Sequence, residues 1–272
     1  MTFTLPPAVC FRVTRSCNAR CGFCLAPPTG DHQPAEALMQ RLDWLLSHGV
    51  KTIHFCGGEP TIHPALPQLL AHAHARGAKT KLTTNAIAIP DGLLPLLRAT
   101  NTQVKVSLHG DREHHNSIVG VEAFDQTTGN LGRFIAAGVP TSIQTTVIAG
   151  GTWVVEWMIG FCLEHKVRRL SILPFIPRGH GFGRRDEFGL RQSERRELHE
   201  LVTAKRRALN GRLDIRWLDF TARPIPVVEP GGEVLLEGAT GTSDRVLCRI
   251  PPFSPNPPLR HGKSSKCPVD GT

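Results

Sequence analysis

Tyrosine is missing altogether from this 272-residue sequence, and aromatic residues supply only 6% of it. Any chemistry that routes a radical through a protein phenol is therefore excluded. No run of about 18 apolar residues occurs, which argues against a membrane span. The N-terminus "MTFTLPPAVCFRV" has no basic stretch leading into an apolar one, so no signal peptide is expected. Acidic residues are also in deficit, 23 against 32 Lys and Arg, and the net charge of +9 favours anionic partners without choosing among nucleic acid, phosphorylated metabolites and acidic peptides. Eight cysteines without a secretory signal predict a reducing, cytoplasmic setting, where clustered thiols bind metal more often than they form disulfides.

What is present has a cadence: an apolar-periodic helix, a glycine, then a short β-branched strand. Leu38, Leu42, Leu45 and Leu46 share one helical face, with Pro34 near its start and Gly49 at its stop, and "VKTIHF" follows. Leu66, Leu69, Leu70 and Ala73 repeat the pattern before Gly77 and "AKTKLTT"; Leu131, Phe134 and Ile135 repeat it before Gly138 and "VPTSIQTTVI". With "AVCFRV", "TQVKVSL" and "RRLSILPF" this makes about six βα units, which predicts an α/β fold with a parallel sheet, either open or a barrel. Active residues would then gather at the carboxyl ends of the strands. The unusual clusters fall there: three cysteines after strand one, "CGGEP" after strand two, "TTNA" after strand three and "SLHG" after strand four. The expected organisation is a barrel over 1–178, a C-terminal helix and short strands over 179–248, and a proline-rich tail over 249–272.

The stretch "SCNARCGFC" holds Cys17, Cys21 and Cys24, three thiols that cannot by themselves complete a four-ligand site. Structural zinc usually draws paired knuckles from separate turns, whereas one tight C-x3-C-x2-C loop suits three corners of an iron–sulfur cubane. The spacing favours the cubane, with a Cys3His zinc site as the alternative.

That loop, with the aromatic Phe23 just before its last cysteine, resembles the signature of the radical S-adenosylmethionine (SAM) enzymes, and "CGGEP" one βα unit later resembles their GGE motif. The resemblance covers roughly residues 8–175 and is to MoaA-like, SPASM-type barrels, here without a clear auxiliary-cluster motif. It implies a partial (β/α)6 TIM-type barrel with a small C-terminal extension. It also implies a [4Fe-4S] cluster on Cys17, Cys21 and Cys24 whose fourth iron is chelated by SAM. The reduced cluster would cleave SAM to a 5′-deoxyadenosyl radical that takes hydrogen from substrate, with an external electron donor such as flavodoxin or ferredoxin.

By the same resemblance Phe23, Gly57, Gly58 and Glu59 belong to the cofactor site, the GGE segment holding the SAM ammonium; a solvated turn is the bland alternative for GGE alone. Asn85, Ser107 and Gln144 are further cofactor candidates. Asn85 could equally be a turn residue, and Gln144 could instead pair with a neighbouring side chain inside a buried strand. His109 is the one catalytic candidate, as proton donor or substrate contact, against a plain loop histidine; His114 and His115 read as loop or substrate-entry residues. Cys10, Cys56 and Cys162 read as packed thiols, and Cys248 and Cys267 are too sparse to predict an auxiliary cluster.

The loop "IPRGHGFGRR" after strand six sets Arg178, Arg184 and Arg185 among glycines, which suits bidentate recognition of phosphate or carboxylate. The expected substrate is therefore a small anionic molecule, such as a nucleotide, nucleoside or sugar derivative. The alternatives are maturation of a ribosomally made peptide and a non-catalytic iron–sulfur or zinc protein. No RNA-binding module is recognisable, so nucleic acid is not an expected partner, and neither is a membrane.

Overall fold

A computed structural model describes residues 5–220 and 224–252. Six strands alternate with helices in chain order: β1 (Ala8–Arg12), α1 (Ala35–Ser47), β2 (Thr52–Cys56), α2 (Leu66–Ala75), β3 (Lys79–Thr84), α3 (Leu93–Ala99) and β4 (Gln103–Ser107). Then come α4 (Arg112–Val119), α5 (Phe124–Ala136), β5 (Thr141–Val147), α6 (Trp153–Glu164) and β6 (Arg169–Pro174). Two short helical turns, α7 (His180–Gly183) and α8 (Arg185–Phe188), precede the long α9 (Gln192–Ala208), β7 (Asp214–Trp217), β8 (Ile225–Val228), β9 (Glu233–Glu237) and β10 (Arg245–Arg249).

The strands form one sheet in the order β10-β9-β8-β1-β2-β3-β4-β5-β6-β7. All pairs from β8 to β7 are parallel, while β9 and β10 add an antiparallel edge. The two edges, β7 and β10, are not hydrogen-bonded to each other, so the barrel is partial and open on one side. The expected helix stops hold: Gly49, Gly77 and Gly138 all adopt positive φ, of 93°, 79° and 70°, as a left-handed helix exit requires.

One face of each strand is apolar and supports the helices. Val9, Phe11, Ile53, Phe55, Leu82, Val104, Val106 and Ile143 are buried with Leu38, Leu42, Leu66, Leu70, Leu97, Leu131 and Phe134 in a single core. The alternate positions are polar and face the inside of the open barrel, where His54 Nε2 meets Thr83 Oγ1 at 2.7 Å and Lys105 Nζ meets Gln144 Oε1 at 3.2 Å. Parallel strands covered on both faces normally read as continuous apolar runs; the alternation here marks an interior that side chains do not fill.

The chain beyond 178 supplies both flanks of the sheet, β7 beside β6 and β8 beside β1. Buried Arg12 of β1 stitches the C-terminal hairpin to the barrel, pairing with Glu229 and, at 2.7 Å, with Glu237; Arg15 also reaches Glu229 at 3.0 Å. His114 and His115, expected in a loop, lie in α4, which Asp111 caps by accepting the His114 amide at 3.0 Å. Most of the proline-rich tail, including Cys267, lies outside the described residues. Among the described residues no helix is long and apolar enough to cross a membrane.

Candidate active site

The loop after β1 is fixed before any cofactor is considered. The Arg20 and Gly22 amides donate to the Val119 and Ile118 carbonyls at the end of α4, and the Cys24 amide closes a turn onto Cys21 at 3.2 Å. On the opposite side the His180 amide donates to the Cys24 carbonyl at 3.0 Å. So held, Cys17, Cys21 and Cys24 border one cavity that is open to solvent. Its other walls include Cys56, Gly57, Gly58, Glu59, Asn85, Ser107, His109 and Gln144. All four strand-end clusters of the sequence thus meet on one rim.

The chemistry of the thiols fits a cationic cluster. Burial, with lesser contributions from neighbouring negative charge, pushes Cys17 up to about 11 and Cys21 to about 12; burial likewise raises Cys24. Three thiolates crowded here are costly unless a metal supplies positive charge, and none of the three is tied up in a disulfide.

Gly57 and Gly58 have a specific steric reason. The Gly58 amide donates to the Thr14 carbonyl and the Glu59 amide to the Ser16 carbonyl, each at 2.8 Å. A Cβ on Gly58 would stand 2.0 Å from the Ser16 oxygen, and one on Gly57 would stand 2.4 Å from the Thr14 oxygen. The glycines let the segment after β2 lie directly on the chain entering the cysteine loop.

Glu59 is 1% exposed. Its Oε1 accepts from the Thr61 amide at 3.0 Å and from the Thr61 and Thr84 hydroxyls at 2.7 Å each, while Oε2 accepts the Asn85 amide at 2.7 Å. Burial lifts its pKa above the usual carboxylate value, with the four donors opposing. Glu59 therefore ties β2 to β3 as well as bordering the cavity. Asn85 extends the tie, its side-chain amide donating to Asn18 Oδ1 in the cysteine loop at 2.8 Å.

Phe23 packs edge-on against the His109 ring with centroids 4.8 Å apart. His109 is 2% exposed, and burial, aided by His115 and His114, holds its pKa well below the ordinary value. Nδ1 accepts the Thr146 amide at 3.0 Å, which fixes the neutral ring with its proton on Nε2. His115 Nδ1 in turn accepts the His109 amide at 3.2 Å, and burial pushes its pKa down to about 4. His115, read from the sequence as a loop or substrate-entry residue, also borders the cavity, as does Val119 one turn further along α4. Cys56, read as a packing residue, borders the same cavity.

The arginine loop has a different placement from the one expected. Arg178 is engaged within the fold, with Asp244 at 2.6 and 2.7 Å and Glu237 at 3.1 Å, and these partners raise its pKa. Arg184 is paired with Glu187 at 2.5 and 2.9 Å and lies over the Phe188 ring at 4.3 Å; Arg185 covers Phe182 at 5.0 Å. None of the three borders the cysteine cavity. The loop backs the cysteine loop instead, with Arg184 and Phe188 packed where Gly22 lacks a side chain.

Residues 11–159, more than half the chain, match the family model described as the Radical SAM superfamily. The chain belongs to this superfamily. Members use a [4Fe-4S] cluster and SAM. The chain is 35% identical over 173 residues to the GTP 3′,8-cyclase of Chlorobaculum tepidum, covering 60% of this chain and 52% of that protein. It is 27% identical over 270 residues to the PqqA peptide cyclase of Xanthomonas euvesicatoria, covering 90% of this chain and 71% of the relative. The fold is also that of Streptococcus suis SuiB bound to S-adenosylmethionine, with a TM-score of 0.73, 21% identity, and coverage of 85% of this chain and 60% of SuiB. This radical SAM chain thus spans about half the length of the curated GTP cyclase.

Proposed function

We propose that this protein generates a 5′-deoxyadenosyl radical in the cysteine cavity and uses it to abstract hydrogen from a small substrate carrying an anionic group. The observation that carries the reading is the convergence of three unbridged thiols, the Gly57–Glu59 segment and the polar strand ends of β3, β4 and β5 on one cavity. When bound, the cluster and SAM supply the electron transfer and homolysis that no side chain can perform. The chain's own work is placement. Gly57 and Gly58 hold the β2 end against the cysteine loop, Glu59 and Asn85 fix the β3 end, and Phe23 with neutral His109 forms an apolar wall that restricts water. His109 keeps a proton on Nε2 rather than a charge, so as a contact it donates a hydrogen bond to substrate or cofactor. Ser107 and Gln144 are the remaining polar groups offered to the cofactor on that rim.

The anionic substrate class is supported by the +9 charge and by the cations Lys105, Arg169 and Arg216 on the inward face of the barrel. The protein would work in the cytoplasm with a flavodoxin or ferredoxin as electron donor. A second reading, maturation of a peptide, is favoured by the similarity to the PqqA peptide cyclase over 90% of this chain. Anaerobic reconstitution with iron and sulfide, followed by SAM and dithionite, should yield 5′-deoxyadenosine by mass spectrometry. A protein that holds about four irons yet never produces it would overturn the catalytic reading.

A further inference from the structure

The inward face of the barrel carries a layer of cations beneath the cysteine cavity. Ser107, Gln144, Ser171 and Arg216 are in register across β4, β5, β6 and β7, so one row runs from the cavity wall to the open edge of the sheet. Lys105 lies two residues below Ser107 on β4, roughly 7 Å along the strand. Its ammonium donates to the neutral Gln144 Oε1 at 3.2 Å. Burial lowers its pKa, negative charge on Cys10 opposes that, and the charges of Lys81, Arg169 and Arg216 lower it further. On the β6–β7 side of this face the acid is Asp214, and it is shared by Arg169 at 2.8 Å and Arg216 at 3.0 Å. Asp214 is thus divided between two arginines, and no carboxylate is paired with Lys105 among the described residues.

A half-buried ammonium that is hydrogen-bonded to one neutral amide, with the Cys10 sulfur opposing the repulsion of its neighbours, is costly to keep. An anion placed there would recover that cost. Elsewhere the fold shows what complete compensation looks like: Arg12 and Arg178 are each met by two carboxylates. The contrast marks the Lys105 layer as unfinished by the protein itself.

We propose that Lys105, with Arg216 and Arg169 beside it on the inward face, binds the carboxylate or phosphate of the substrate, entering through the gap between β7 and the C-terminal hairpin. The proposal rests on the reading of the cavity as the radical-generating site. An anion held at Lys105 would point the rest of a small molecule up the barrel, so that its reactive C–H stands among Ser107, Gln144 and His109. That spacing suits a metabolite of a few carbons beyond its anionic group.

The test is calorimetry on anaerobic, cluster-loaded protein, titrated with inorganic phosphate and, separately, with succinate. Saturable binding of either probe is expected, and whichever binds more tightly identifies phosphate or carboxylate as the preferred group. Lys105→Met should weaken that binding at least tenfold and Arg216→Gln by about threefold to tenfold. The Arg206→Gln/Arg207→Gln double variant, on exposed α9, should leave it unchanged. Thermal midpoints establish that each variant is folded, and Arg216→Gln carries the test if Lys105→Met is not. Equal anion binding by wild type, Lys105→Met and Arg216→Gln, loss only in the α9 variant, or no saturable binding at all would overturn the proposal. Formation of 5′-deoxyadenosine is read independently: if it fails while Lys105-dependent anion binding persists, the radical reading falls and the anion site stands.

Discussion

Glu59 and Asn85 are joined by a single contact, the Asn85 amide donating to Glu59 Oε2 at 2.7 Å, and through it the segment after β2 fixes the end of β3. The carboxylate expected to serve a cofactor is thus also a strut of the rim. Glu59→Ala would orphan four donors in a buried place, so it should lower unfolding free energy by about 3 kcal/mol or more, in addition to weakening SAM. Glu59→Gln keeps the shape but sets an amide NH2 against donors, and should cost about 1–3 kcal/mol. Urea denaturation of both variants, beside SAM calorimetry, checks this. A Glu59→Ala protein with unchanged stability would show that the strut has no energetic role.

Replacing Cys17, Cys21 or Cys24 by Ala should abolish loading of about four irons per chain and the broad visible absorption that accompanies it. Cys248, buried in β10, should be replaceable without loss of iron. Metal analysis and absorbance decide the matter. A colourless protein with one stoichiometric zinc would point to the other metal.

Gly58→Ala should be among the most damaging small changes in the chain, since the new Cβ would meet the Ser16 backbone oxygen at 2.0 Å and neither strand end can retreat. A loss of about 3 kcal/mol and poor iron loading are expected. Gly129→Ala in α5 has open space around it and should instead stabilise by about 0.5–1 kcal/mol through helix propensity. Thermal melts of the pair compare sterics with propensity at fixed chemistry.

His115 is held neutral by burial, at about 4 in the folded protein against the ordinary 6.5. The unfolded chain binds this proton first as pH falls, so stability should be full above about pH 6.5 and decline toward pH 4. In that window a ring of this kind contributes a slope of up to about 1.4 kcal/mol per pH unit. His109 is displaced in the same direction and adds to it. His115→Gln, which retains an acceptor for the His109 amide, should flatten the slope between pH 5 and 6.5. Urea midpoints across that range, with iron content monitored, measure it.

Arg178→Gln should destabilise by about 1–3 kcal/mol, because Asp244 and Glu237 lose their shared partner where solvent reaches little of it. Arg184→Gln and Arg185→Gln, about half exposed, should change stability by less than about 1 kcal/mol. Denaturation midpoints of the three single variants test this ordering.

The sequence by itself determined the βα cadence, because helix faces, glycine stops and β-branched strands are local signals written within a dozen residues. It also determined which loops would carry the unusual residues, since in a parallel sheet every strand end falls on the same rim. The tertiary structure alone decided the partners. Arg178 looked available until β9 and the residues before β10, about 60 positions later, brought Glu237 and Asp244 against it. Lys105 looked like an ordinary strand lysine until barrel curvature turned it inward toward Arg169 and Arg216. His115 became a cavity residue only when α4 was seated against the cysteine loop. Whether a charge is answered depends on groups distant in sequence, and only the closing of the sheet around its interior brings them into range.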